Sequence, residues 1–226
     1  MLHVVTFDFG GYLCDNVRAS QQAAADRWGA EYHVLTEPIG AWGGRGAFAA
    51  KLDLPDLPFQ NPCRVCYLDG DVVVRESCPS LFGLVPAGHF GGVPNYQGDT
   101  HADPVRDHAP SWSMMARLMG SSVAYQQDTY INGGVLIFDL PTTAWRPLRA
   151  VMANAQRIGP MAEQTGLNIS VRMMEVPLCV LPRTYGRLGP AVWRDGEMSE
   201  QVYHFAKIGP SREKRAVMER VKWRLG

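Results

Sequence analysis

The run YLDGDVVV, residues 67–74, places two carboxylates one residue apart inside an otherwise apolar stretch. The flanking residues read as a strand that breaks at the acidic pair, with Gly70 allowing a sharp turn between Asp69 and Asp71. Hard oxygen donors at that spacing suit Mg²⁺ or Mn²⁺ and leave coordination positions for phosphate oxygens. An ion held there neutralises the charge that gathers on a diphosphate as a bond to it breaks. Asp-X-Asp alone is a common pattern, and an acidic hairpin is the plain alternative. The apolar VCYL before it and VVV after it favour the chemical reading.

Other residues invite chemistry and have bland alternatives. VVTFDFGGYLCD, residues 4–15, reads as a buried strand ending in Asp8 and a Gly-Gly turn. Phosphatases of the haloacid-dehalogenase type begin this way, with the strand-end Asp as nucleophile. Such an enzyme needs a second carboxylate where this chain has Gly10, and a later strand ending in an acidic pair, which does not follow residue 71. CRVC, residues 63–66, lies on a strand, where positions i and i+3 face opposite sides, and no second Cys/His pair stands at zinc spacing. By pattern alone His204 is a core histidine, while Lys51, Glu163 and Gln164 fit solvated helix positions. Asn132 stands inside an apolar strand, where an amide needs a task.

The elements that must carry these residues alternate as in an α/β protein. Strands are expected at 2–8, 31–37, 64–74, 85–93, 129–140, 175–182 and 201–206. Helices are expected from an Asp15 or Asn16 cap to Trp28, at 47–53, 142–158 and 161–172, and at about 211–225. Residues 94–112 read as a long polar loop with Trp112 at its end, and Trp193 falls in a later loop. The 226 residues fit one domain. Lys+Arg and Asp+Glu both number 22, so net charge names no partner. The last 26 residues, however, hold seven Lys/Arg against Glu213 and Glu219. That tail suits a closing helix whose stripe is Val217, Val221 and Leu225, an anionic partner, or a membrane surface. No signal peptide or membrane-spanning run is evident, and the five cysteines read as reduced thiols, so a cytoplasmic location is expected.

Four motifs in order resemble family 8 of the GT-A glycosyltransferases, the group of glycogenin and the lipopolysaccharide galactosyl- and glucosyltransferases. They are YLDGDVVV, YINGGVLIFDL at 130–140, EQTGLN at 163–168 and YHFAKIG at 203–209. The resemblance covers most of the chain. It implies a GT-A fold, Rossmann-like, with a mostly parallel central sheet flanked by helices in a single domain, 1–226. It also implies Mn²⁺ or Mg²⁺ held by Asp69, Asp71 and His204. Thr6, Asp8 and Tyr12 would meet the nucleoside, with Tyr12 stacking on the base. Lys51, Gly70, Asn132 and Gly133 would line the donor, and Gln164 with Glu163 would flank the anomeric carbon. The chain departs from the family after His204, where Lys207 replaces a glycine, Gly209 comes late and Pro210 replaces a lysine. Lys207 or Arg212 would then grip the diphosphate.

The expected function is therefore transfer of a hexose, glucose or galactose, from a UDP-sugar to an acceptor hydroxyl, with retention by family resemblance. The acceptor could be a glycan, lipid-linked sugar, protein or modified nucleic acid. A non-catalytic sugar-nucleotide or glycan-binding module of the same fold is the alternative from another class, and the phosphatase is the remote one.

Overall fold

The computed structural model describes residues 1–42, 49–95, 108–154, 162–188, 200–205 and 211–224. In chain order the elements are β1 (Leu2–Phe7), α1 (Asp15–Trp28), β2 (Glu31–Leu35), β3 (Cys63–Leu68), β4 (Val72–Val74) and β5 (Phe90–Pro94). There follow α2 (Ala109–Leu118), β6 (Ile131–Leu140), α3 (Arg146–Asn154), α4 (Ala162–Met173), β7 (Leu178–Val180), β8 (Arg187–Leu188), β9 (Val202–His204) and α5 (Ser211–Arg220). A 3-10 helix, Ala49–Asp56, precedes β3.

Six strands form the central sheet in the order β2-β1-β3-β6-β5-β7. All run the same way except β6, which is antiparallel to both β3 and β5. The apolar runs of β1, β3 and β6 follow from burial on both faces. On one face Val5, Tyr67 and Phe138 pack with Trp145 and Leu167. On the other, Val4, Cys66 and Ile137 pack with Ala24, Ala25 and Trp28 of α1. Cys63 and Cys66 belong to these opposite cores, as strand alternation requires. A smaller sheet, β4-β9-β8, extends from the end of β3.

Some expected elements are displaced. Residues 85–89 are not strand: His89 N–H bonds back to Pro86 O in a turn, and β5 begins only at Phe90. The polar segment ends at α2, whose Pro110 suits a first turn, so Trp112 is a buried helical residue that donates to Val123 O, not a loop residue. Trp193 lies outside the described residues. No side chain caps the start of α1. Asn16 instead donates to Met218 O (2.6 Å) and Val221 O (3.0 Å) and accepts from Trp223 Nε1. That tie holds the end of α5, where Met218 and, just past the helix, Val221 and Trp223 are buried against Leu13, Val17 and Phe205. The apolar side of the basic tail is thus packed on the protein; Leu225 lies outside the described residues. No described helix is long and apolar enough to cross a membrane.

Arg64 clamps the start of β3. Its guanidinium forks onto Asp139 (2.6 and 3.0 Å) and donates to the carbonyls of Phe82, Val85 and Pro86. Gly88 N–H also donates to Asp139. Although burial works against its charge, hydrogen bonds from Arg64 and Gly88 hold the Asp139 carboxyl below the usual range. We expect Arg64→Ala to cost about 2–4 kcal/mol in urea unfolding, because it strands several partners at once. Asp139 has a lowered folded pKa, so its contribution is full above the unfolded value of about 4 and fades as pH falls through the folded one. Asp139→Asn should therefore flatten the loss of stability below about pH 4. An Arg64→Ala cost under about 0.5 kcal/mol, the range of ordinary surface changes, contradicts the clamp.

Candidate active site

The acidic turn forms where the chain leaves one sheet for the other. Strand β3 ends at Leu68, Asp69 N–H donates to Gly134 O on β6, and Val72 N–H closes a turn on Asp69 O. The chain then enters β4, which pairs with β9 so that Val72 stands opposite His204. Phe205 N–H donates to Asp71 O. Pairing between two strands of the small sheet thereby brings His204 to carboxylates some 130 residues earlier in the sequence. Gln21, fully buried on α1, fixes the turn by donating to Asp69 O (3.0 Å) and Val72 O (2.8 Å). Tyr32 OH in turn donates to Gln21 Oε1.

Asp69, Asp71 and His204 present ligand atoms within 4.8 Å of one another. His204 Nε2 lies 3.5 Å from Asp69 Oδ2 and 3.2 Å from Asp71 Oδ1. Two carboxylates and an imidazole so placed fit a divalent cation, so the expected metal group is assembled. Gly134 makes room for it: a Cβ there would collide with Cε1, Nδ1 and Nε2 of the His204 ring. Gly70 passes close to strand β1, where an added Cβ would sit 3.1 Å from Phe7 O.

Two lysines compensate the carboxylates. Buried Lys51 lies 2.9 Å from Asp69 Oδ1 and 3.0 Å from Asp69 Oδ2, and donates to Gly133 O at 3.0 Å. Burial works to lower its pKa, but Asp69, Glu163 and Asp71 outweigh this and raise it. Tyr67 OH donates to Asp69 Oδ1 at 2.6 Å. Lys214, from α5, pairs with Asp71 Oδ2. Burial opposes the charge on Asp71, but His204 and Lys214 hold its carboxyl well below the usual range. Lys214, one of the seven basic residues of the tail, thus brings its ammonium to the acidic site.

The remaining expected residues are distributed around this group. Gly133 N–H donates to Gln164 Oε1 (2.9 Å), which brings α4 against β6 beside Lys51. Gln164 is buried, and its Nε2 has no hydrogen-bond partner among the described residues. Burial pushes the neighbouring Glu163 carboxyl up, while Lys51 pulls it down. Asn168 locks the same contact by pairing with both backbone groups of Ile131. Asn132 accepts from Gly134 N–H and donates to Asn95, which bonds His108. The Asn132 amide is therefore tied into the protein's own network. Asp8 accepts from Leu13 N–H (2.9 Å) and Arg18 (3.4 Å), stapling a turn in which Gly10 and Gly11 have φ of 93° and 74°. Thr6 is fully buried with its hydroxyl unpartnered. Tyr12, by contrast, projects from that turn 70% exposed. Lys207 and Gly209 lie outside the described residues, and no side-chain contact of Arg212 is described.

Gln21, Gly134 and Lys214 were not singled out from the sequence as site residues. Only Gly134 carried a local signal, as the second glycine in a β-strand, a position that often marks close approach.

No protein-family model matches the chain, and no curated protein sequence matches it. Solved structures do. One is a glycosyltransferase involved in glycosylation of the major capsid of PBCV-1, with a TM-score of 0.59 at 12% identity, covering 96% of this chain and 98% of that one. The galactosyltransferase LgtC, solved with donor and acceptor sugar analogues, matches with a TM-score of 0.54 at 16% identity, covering 97% and 96%. Mouse xyloside xylosyltransferase 1 matches with a TM-score of 0.54 at 14% identity, covering 92% and 98%. At these identities the likeness is one of fold: this chain has the GT-A glycosyltransferase fold, in agreement with the resemblance its motifs carry.

Three substitutions test the construction of the site. Gly134→Ala should cost roughly 1–3 kcal/mol through overpacking against His204 and abolish the rise in melting temperature expected on adding Mn²⁺. Gly133→Ala, whose Cβ would lie 3.4 Å from Lys51 Nζ, should be milder. Equal effects of the two contradict the assignment. Lys214→Ala removes a positive charge from Asp71, so Mn²⁺ titrated without nucleotide should bind several-fold more tightly. Unchanged or weaker binding in the calorimeter would show that the ammonium does not compete for the site.

Proposed function

We propose that this protein is a metal-dependent glycosyltransferase that moves a hexose from a UDP-sugar to an acceptor hydroxyl with retention of anomeric configuration. The observation that supports this most is the joining of the Asp69–Asp71–His204 group to Gln164 through Lys51 and the Gly133 peptide. Asp69, Asp71 and His204 would hold Mn²⁺ or Mg²⁺, which would supply Lewis-acid charge to the diphosphate leaving group.

The chain's own residues do the rest in this reading. Lys51 and Tyr67 donate to Asp69 and hold its carboxylate in one orientation. Gln164 is fixed at its carbonyl end by Gly133 N–H, and its buried amide end would turn to the sugar on donor binding. A fixed dipole in a site shielded from water stabilises developing charge without reorganising. Glu163 adds a carboxyl beside it, and a departing phosphate oxygen can accept the acceptor's proton, so no separate strong base is required. Tyr12 offers an exposed ring for the uracil, and Thr6 and Asp8, buried where β1 leads into that turn, would meet the nucleoside. Gly70, Asn132 and Gly133 shape the donor cleft. Lys214 stands at the acidic site as a cation for the diphosphate, a role that Lys207 and the backbone at Gly209 would share by the family resemblance. The single-domain extent and the partners of the basic tail belong to the same proposal.

The test is a screen of nucleotide sugars against glycan, lipid-linked, protein and nucleic-acid acceptors, with product mass as readout. A metal- and Gln164-dependent hexose addition is expected, lost with chelator and in Gln164→Ala. Tight nucleotide-sugar binding without turnover on any acceptor, or release of inorganic phosphate from phosphate esters, contradicts it. On the donor side, UDP in Mn²⁺ should raise the melting temperature more than GDP or ADP. A ligand at about 100 times its Kd adds about 2.7 kcal/mol. A larger shift with GDP rules out the uridine reading.

A further inference from the structure

At the other end of β1 from the acidic turn, His3, Glu31 and His33 lie on one face of the central sheet. Parallel pairing sets His3 beside Glu31, and His33 follows two residues along β2, so strand alternation puts all three on the same side. Their polar atoms form a small triangle. His3 Nδ1 is 3.1 Å from His33 Nε2, and Glu31 Oε2 is 3.5 Å from each of these nitrogens. We propose that this triangle is a second divalent-metal site, built for a borderline transition ion such as Zn²⁺ and separate from the acidic turn.

The spacing carries the argument. A tetrahedral zinc with bonds of about 2.0–2.1 Å holds its ligand atoms roughly 3.3–3.4 Å apart. The three separations observed bracket that value, so one ion a little out of their plane reaches all three and keeps a fourth position open. The donor set, two imidazoles and one carboxylate, is one that zinc takes in open sites, whereas Mg²⁺ and Ca²⁺ favour oxygen. A hydrogen bond between the two imidazoles would account for their 3.1 Å separation. It would not account for one Glu31 oxygen drawn equidistantly to both nitrogens, at a length that is long for a hydrogen bond.

The surroundings fit the same reading. Phe59 stacks on the His3 ring at 4.1 Å and packs 4.6 Å from His33, which restrains both rings. His3 Nε2 is buried without a hydrogen-bond partner, so the ring's described polar contacts all run through Nδ1, toward the triangle. His3 is 2% exposed while the Glu31 side chain is 61% exposed, which leaves an entry path from solvent on the Glu31 side. Burial lowers the pKa of both imidazoles despite the nearby Glu31, and neutral imidazole is the form that ligates. Because β2 is an edge strand, an ion here would stitch the margin of the sheet to its interior.

The experiment uses the full chain carrying Asp71→Asn, which disables the acidic turn, titrated with Co²⁺ and then Zn²⁺. Expected are intense visible bands of low-coordinate cobalt saturating at a single equivalent, displaced by Zn²⁺. His33→Ala in that background should abolish the bands. Glu31→Gln, at an exposed position that leaves folding intact, should weaken Co²⁺ binding by at least about tenfold, the lower end of what altering a metal site costs. Circular dichroism checks that each variant is folded. Absence of cobalt bands in Asp71→Asn, or bands unchanged by Glu31→Gln, overturns the proposal.

Discussion

Two carboxylates one residue apart, both largely buried, must remain ionised if the turn at 69–71 is to hold a cation. Burying charge is costly unless it is paired and hydrogen-bonded. Lys51 and Tyr67 serve Asp69, and Lys214 serves Asp71, with His204 lying between the two. At an effective dielectric of about 20, unit charges ~4 Å apart interact by about 4 kcal/mol. An exposed pair of the Arg215–Glu219 kind is screened by water and contributes far less. The inner charges therefore decide how the surrounding elements are arranged, and the surface pairs do not.

That constraint explains why distant segments converge. Lys51 is brought in by the 3-10 helix before β3, His204 by β9 and Lys214 by α5. Each is anchored by apolar packing: Leu52 and Leu54 beside Lys51, Tyr203 and Phe205 on either side of His204, and Met218 on α5 with Val221 just past its end. The two lysines are not equivalent. Lys51 is buried and also tied to Gly133 O, which makes it a fixed part of the floor. The Lys214 side chain is 26% exposed with Asp71 as its one described partner, so it can move to an incoming anion at less cost. The Gly133 peptide, between Lys51 and Gln164, couples the charge on the acidic turn to the start of α4.

Much of this arrangement is legible in the residues. The break of a continuous apolar run at LDGD marks the passage between sheets, and the amide of Asn132 inside an apolar strand marks a polar task. The nature of that task is not legible: Asn132 serves Gly134 and Asn95. Residues 85–93 look like a strand because Val85 and Phe90 are apolar, but Pro86 and Gly88 make a turn that Arg64 and Asp139 hold from elsewhere. Gln21 lies among helix formers that suit a solvated face, and only the fold shows it buried under the acidic turn. Lys214 is separated from Asp71 by 143 positions. Its neighbours in sequence are other charges, so no local pattern separates the one that turns inward. Local periodicity reports elements well; it does not report which long side chain closes a site assembled by strand pairing.

The most direct test of the cross-sheet acidic site is calorimetric titration of UDP into the protein with and without Mn²⁺, in wild type and in Asp71→Ala. The account predicts tight binding only when metal is present in wild type, and loss of that dependence in a variant whose circular dichroism is unchanged. Undiminished, metal-dependent UDP binding by Asp71→Ala would contradict it.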